Sequence, residues 1–145
     1  MKQIASKRLA LFRWFVSNLV MKHSEEFVRL VEELRTEVKE IGLAETKMKL
    51  ENNPNAKLID VREDHEWHAE HATGAIHLGK GIIERDIVSK IPDKNTELIL
   101  YCGGGYRSVL AAYHLQKMGY QRVFSLVGGF RVMQEMNYPI SKETV

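Results

Sequence analysis

Leu98-Ile99-Leu100-Tyr101-Cys102-Gly103-Gly104-Gly105-Tyr106-Arg107-Ser108 is the stretch on which the reading of this chain turns. An apolar run of strand type ends at Cys102, the only cysteine in the sequence, and passes through three glycines to Arg107 and Ser108, which open a helix-like segment. Three consecutive glycines let the backbone turn its N–H groups inward without Cβ clashes. The helix start beyond them adds orphan N–H groups and the positive end of a dipole. The pattern is that of an anion-binding loop, and a thiol held in it beside an arginine is expected to ionise readily and act as a nucleophile. The competing reading is a buried cysteine closing a core strand before an ordinary turn. It leaves the glycine run and Arg107 without a purpose.

Outward from this loop, strands and helices alternate. Upstream, Lys57-Leu58-Ile59-Asp60-Val61 reads as a buried strand that delivers Asp60 and Arg62 to a sheet edge, Gly74 to Leu78 as a second strand, and Ile82 to Ile91 as a helix stopped by Pro92. Downstream, a helix runs from about Ser108 to Met118 and is ended by Gly119. It is followed by a strand over Val123 to Val127, a Gly128-Gly129 turn, and a closing helix over Phe130 to Met136. Repeated βα units predict an α/β fold with a central parallel sheet flanked by helices, and ligands in such sheets sit beyond the carboxyl ends of the strands. The Cys102 loop belongs there.

Before the first of these strands, Ser24 is placed to cap a helix, with Glu25 and Glu26 in its first turn. Phe27, Leu30, Val31, Leu34, Val38 and Ile41 recur at helical spacing up to Gly42, and a shorter helix follows from about Ala44 to Leu50. Residues 1–21 form a separate basic segment: Lys2, Lys7, Arg8 and Arg13 give it +4 with no acid. Ala5, Leu9, Phe12, Val16 and Leu19 fall on one side of a helix. Its longest uncharged run, Trp14 to Met21, is far short of the roughly 20 residues of a membrane span. Arg8 and Arg13 interrupt any signal-peptide core. This segment is read as a helix packed on the domain or a dispensable leader should the chain begin at Met21, ahead of a basic helix lying on a membrane surface. Residues 22–145 form one domain.

Composition sets limits. At 145 residues and 44% hydrophobic the chain can bury one real core, and 21 basic against 19 acidic residues argue against a general nucleic-acid binder. A single cysteine excludes an intramolecular disulfide framework and fits a reducing, cytoplasmic compartment. His65, His68 and His71 invite a metal reading, but positions three apart drift around a helix. Asp64, Glu66 and Glu70 are more simply its solvated face, so no metal and no cofactor is expected.

At this point the residues resemble a known family. Leu58-Ile59-Asp60-Val61-Arg62, the Glu66…His71…Gly74-Ala75-Ile76-His77 stretch, the Cys102 to Ser108 loop, and Gly128-Gly129-Phe130 with Tyr138-Pro139-Ile140 are similar, in order and spacing, to the rhodanese (thiosulfate sulfurtransferase) domain, in particular to small single-domain bacterial members. The resemblance extends over about residues 38–140. Departures fall at Glu70 to Ala75, where the family usually has Gly-His-Ile-Pro-Gly-Ala, and at Met133, usually tryptophan. Cys102 through Arg107 spans six residues, whereas related dual-specificity phosphatases and arsenate reductases carry one more. In the family the shorter loop accompanies sulfur transfer.

The resemblance implies a persulfide cycle. Cys102 takes sulfane sulfur from thiosulfate or a similar donor and passes it to a thiol or cyanide. Arg107 offsets the donor charge, and Gly103, Gly104, Gly105, Tyr106 and Ser108 surround the donor. Asp60 and Arg62 either orient the loop or form a local ion pair with Glu66 or Glu70. The alternatives are a persulfide carrier loaded by a partner thiol protein, a non-catalytic binding module, and a phosphatase, the last disfavoured by loop length.

Overall fold

The computed structural model describes residues 7–10 and 23–142; residues 7–10 are helical. The rest of the expected helix over residues 1–21 lies outside the described residues. From His23 onward the elements are α1 (Glu25–Arg35), β1 (Lys39–Ile41), α2 (Leu43–Asn52), β2 (Lys57–Asp60), α3 (Asp64–Ala69), β3 (His71–Ala72), β4 (Ile76–His77), α4 (Ile83–Lys90), β5 (Leu98–Tyr101), α5 (Arg107–Lys117), β6 (Val123–Leu126), α6 (Gly129–Glu135) and β7 (Ile140–Ser141).

Five strands form one parallel sheet in the order β1-β6-β5-β2-β4, and β3 pairs antiparallel with β7 beside it. All four residues of β5 are buried, as are the last three of β2. Strands covered on both faces read as continuous apolar runs for this reason. Side chains alternate across the sheet. Ile59, Val61, Leu98, Leu100 and Cys102 join the core that includes Val31 of α1, Ile83 and Ile87 of α4, and Val109 to Ala112 and Leu115 of α5. Leu58, Ile99, Tyr101 and Leu126 join Leu43 of α2 and Phe130, Val132 and Met133 of α6 on the other face. The chain is therefore a central parallel sheet flanked by helices, as expected.

Three short strands depart from the sequence reading. The helical spacing that runs on to Val38 and Ile41 is broken after Arg35, and Lys39 to Ile41 form β1, in register with Phe124 to Leu126 of β6. Ser24 does cap α1, its hydroxyl accepting the Phe27 N–H at 3.1 Å, but Val38 and Ile41 are buried by tertiary pairing rather than by a helix face. The β3–β7 pair, His71 with Ser141 and Ala72 with Ile140, carries no local signal in two residues per strand. It falls where Glu70 to Ala75 depart from the usual family sequence. Among the described residues no helix is long and apolar enough to cross a membrane.

What positions the site is the strand order. The chain leaves β2 toward β4 on one side and leaves β5 toward β6 on the other, so the connections diverge above the β2–β5 seam. A crevice opens at the carboxyl ends of strands at such a point. Asp60 is paired in register with Tyr101, and Val61 N–H extends the ladder to the Tyr101 carbonyl at 2.9 Å. Arg62 and the Cys102 loop thus both leave the sheet at this edge.

Candidate active site

Cys102 leaves the end of β5 with its side chain in the core that underlies α5, 1% exposed. The chain then curls back so that Gly105 N–H donates to Cys102 Sγ at 3.1 Å and Ser108 N–H donates at 3.4 Å. Tyr106, at the N-cap of α5, makes no side-chain capping bond. The cysteine sulfur takes the place of that cap, accepting from the first turn of the helix as an oxygen would elsewhere. Two N–H donors and the helix dipole stabilise negative charge on the sulfur. Beneath it, Ser108 Oγ lies 3.6 Å from Sγ and 2.7 Å from Ser125 Oγ, both serines being fully buried. Ser108 is therefore placed under the sulfur rather than around a donor.

The curl depends on two glycines. Gly105 has φ +97°, and a Cβ there would lie 3.1 Å from Gly128 N and 3.3 Å from the Leu126 carbonyl. Gly129, with φ +51°, lies so close that a Cβ would come within 2.3 Å of the Cys102 carbonyl oxygen. That closeness lets Phe130 N–H donate to the Cys102 carbonyl at 2.8 Å and Arg131 N–H to the Gly103 carbonyl at 3.2 Å. The start of α6 holds the entrance of the loop by its backbone. In the sequence Gly128-Gly129 reads as a turn, and only the Cys102 backbone explains why glycine is required.

The two arginines behave differently. Arg62, its side chain 5% exposed, is bound by fully buried Asp60 through Nε at 3.1 Å and Nη2 at 2.8 Å. It also donates to the Glu70 carbonyl at 2.6 Å and lies 4.1 Å over the Phe130 ring. The ion-pair partner is thus Asp60, not a carboxylate of Glu66 or Glu70. Arg107 faces the opening and is held by Glu66 in a two-pronged contact, Nη1 to Oε2 at 2.7 Å and Nη2 to Oε1 at 3.0 Å. Glu66 is therefore not simply a solvated residue of α3. Burial works against its charge, but the Arg107 hydrogen bond, the Glu63 N–H and the positive charges of Arg107 and Arg62 outweigh it and hold the carboxyl at about 2. Arg107 is shifted upward by its bond to Glu66, against burial, and further by negative charge at Cys102 and Glu63.

Above the sulfur is a cleft of about 510 Å³. Cys102, Gly104 and Arg107 form its floor, Glu63, His65 and Glu66 one wall, and His23, Phe27 and Tyr106 the other. The second wall is an aromatic cluster: the His23 ring lies 4.6 Å from Tyr106 and 5.2 Å from Phe27. The apolar spacing puts Phe27 on a core helix, and nothing in the sequence assigns His23 a role. The histidines of the metal reading separate. His65 is at the cleft, His68 is exposed, and His71 stacks on Trp67 at 3.5 Å with Nδ1 at 2.9 Å from the Trp67 carbonyl. His77 stacks on Trp67 at 5.0 Å, so α3 is fixed to β3 and β4 through one indole. Among the described residues no group of three or more His, Cys, Asp or Glu side chains is arranged to hold a metal ion.

Known proteins resemble this chain in sequence and fold. YrkF of Bacillus subtilis, provisionally named a sulfur carrier protein, is 31% identical over 94 residues, 65% of this chain and 50% of that protein. A thiosulfate sulfurtransferase, GlpE of Coxiella burnetii, is 34% identical over 73 residues, 50% of this chain and 66% of that protein. The chain thus spans between half and two thirds of the length of these two relatives. YtwF of Bacillus subtilis, provisionally named a sulfurtransferase, is 33% identical over 105 residues, 71% of this chain and 97% of that protein. Among solved structures, a polysulfide-sulfur transferase from Wolinella succinogenes superimposes with a TM-score of 0.71 at 21% identity, covering 82% of this chain and 89% of that one, a likeness of fold. The model of the rhodanese-like domain matches residues 43–136, and the chain belongs to that family.

Proposed function

We propose that the protein is a sulfurtransferase that carries sulfane sulfur as a persulfide on Cys102. The observation that supports this most directly is the placement of Cys102 Sγ under two N–H donors at the start of α5, with its open side toward a cleft. In the first half-reaction the Cys102 thiolate attacks the outer sulfur of thiosulfate. A new S–S bond forms, the old one breaks, and sulfite leaves with the electron pair. In the second, cyanide or a thiolate attacks the terminal sulfur of the persulfide, takes it as thiocyanate or a new persulfide, and returns the Cys102 thiolate. No proton transfer at the sulfur is needed in either step. Gly103 to Arg107 cradle the terminal sulfur, whose charge their N–H groups stabilise. Once the sulfur is a thiolate it can only accept, so Ser108 Oγ–H turns to donate to it and accepts from Ser125, steadying the anion from below. Arg107, oriented by Glu66, stabilises the leaving group.

The test is turnover with thiosulfate and cyanide, read as thiocyanate. Cys102→Ser abolishes it. Arg107→Ala lowers kcat/KM by ~100-fold, the order expected for one removed charge-stabilising donor. Arg62→Ala, scored per folded molecule, loses far less because Arg62 is occupied by Asp60 outside the cleft. Equal losses would reduce Arg107 to a structural residue. A second reading, a carrier loaded by a persulfidated thiol protein, is favoured by the engagement of Arg107 with Glu66, which leaves less positive charge for thiosulfate. Loading rates from thiosulfate and from a persulfidated protein separate the two.

A further inference from the structure

The geometry points to a cleft that selects sulfane donors of low charge carrying an apolar group beside the transferable sulfur, in preference to the thiosulfate dianion. This inference rests on the sulfur-transfer reading and names the donor class.

Among the described residues the cleft presents one guanidinium, Arg107, against two carboxylates, Glu63 and Glu66, and both Arg107 prongs are already on Glu66. His23 adds no compensating charge near neutral pH, because burial and the adjacent Arg107 both favour its neutral form. Arg35 lies 5.2 Å from the Tyr106 ring centre, on α1, where its own partners are Glu32 and Glu40. Gly103, Gly104 and Gly105 bring no cation. A dianion entering this space meets more negative than positive charge at short range, whereas a monoanion can be matched by Arg107 alone.

Phe27, Tyr106 and His23 form a continuous aromatic cluster lining the same cleft as Cys102, and neither His23 nor Phe27 falls in residues 43–136, the part matched by the family. The start of α1 thus adds an apolar surface to the shared catalytic loop. Thiosulfate has nothing to place against it. An organic persulfide or a thiosulfonate does, and contact with an aromatic face supplies both burial and stacking. For a donor R–S–SH the Cys102 thiolate bonds to the terminal sulfur, which keeps its proton, the donor's S–S bond breaks, and R–S⁻ leaves with the electron pair. For R–SO2–S⁻ the sulfinate leaves in the same way.

Three donors with cyanide as the common acceptor test this: thiosulfate, methanethiosulfonate and benzenethiosulfonate. The first pair differ chiefly in charge and the second in apolar surface. Wild-type kcat/KM is expected to rise along the series, with benzenethiosulfonate at least ~10-fold above thiosulfate, the range of discrimination a hydrophobic contact gives. Leaving groups differ in reactivity, so the decisive readings are ratios compared between proteins, in which leaving-group reactivity and any loss of folded protein cancel. Phe27→Ala should cut the benzene-to-methane ratio ~5-fold, with Phe27→Leu between it and wild type. Glu63→Gln should shrink the methanethiosulfonate-to-thiosulfate ratio ~3-fold. Ratios unchanged in Phe27→Ala and Glu63→Gln, or thiosulfate preferred by wild type, overturn the inference while leaving sulfur transfer intact. Failure of all three donors to yield thiocyanate overturns sulfur transfer itself, and the inference with it.

Discussion

Neighbouring strands β2 and β5 end side by side, and the two ends are built in opposite ways. The β2 end is fixed by charge: Asp60 and Arg62 are buried together, their geometry closed by the Glu70 carbonyl and the Phe130 ring. The β5 end is fixed by backbone, through N–H donors onto Cys102 Sγ and through the close approach of Gly129 to the Cys102 carbonyl. Its arginine, 28% exposed, is tied to Glu66 of α3 in a partly solvated pair rather than a buried one. A nucleophile needs an environment that stabilises charge without consuming its reach. Backbone donors do this, whereas a buried counter-ion beside the sulfur would hold it in one contact. The charged end supplies rigidity, and under the proposed function the backbone end supplies the chemistry.

The contrast can be broken in order of expected effect. Asp60→Ala leaves Arg62 buried without its carboxylate and should cost about 3–5 kcal/mol in urea unfolding. A loss under ~1 kcal/mol would show that the β2 end is not held by charge. Gly129→Ala forces a Cβ against the Cys102 carbonyl at a left-handed φ and should cost ~2–3 kcal/mol while lowering turnover of the folded fraction, since the loop entrance must shift. Retained turnover in that variant would mean that α6 does not set the loop. Arg107→Ala should alter stability by about 1 kcal/mol or less, because its pair with Glu66 is partly solvated. A cost as large as that of Asp60→Ala would erase the difference between the two arginines. The smallest effect is that of pH. Glu66 is held at about 2 in the folded chain against an ordinary 4.5, so its ion pair contributes stability above pH 4.5 that fades as pH falls toward 2. Wild type and Glu66→Gln should therefore differ in thermal midpoint at pH 6 and converge near pH 2. A constant difference across that window would place the effect of the substitution elsewhere.

The elements legible in the sequence are those whose signal is local. β2 and β5 are short apolar runs ending in polar or glycine residues, and α1 announces itself through Ser24, Glu25 and Glu26. Cys102, the glycines and Arg107 are one continuous loop, so their proximity needs no knowledge of the fold. β1 was hidden because Lys39-Glu40-Ile41 continues the helical phase of α1, and only pairing with β6 makes it a strand. Glu66 was hidden as the partner of Arg107 because 41 residues separate them, and on α3 it looks like any exposed carboxylate. Asp60 and Arg62 were visible as a pair of charges at a strand end, but not as partners of each other. The aromatic wall was unreadable for a related reason: the apolar spacing of α1 says which side is buried, not that its first turn overlooks the sulfur. Residues that meet across the crevice belong to different βα units, and no periodicity within one unit reports them.

Intact-protein mass spectrometry tests most directly whether Cys102 carries the sulfur. After incubation with benzenethiosulfonate or thiosulfate and removal of the donor, wild type should gain the mass of one sulfur atom, lose it on addition of cyanide, and show no gain as Cys102→Ser. A wild-type mass that does not change with either donor, or an equal gain in Cys102→Ser, would contradict the account.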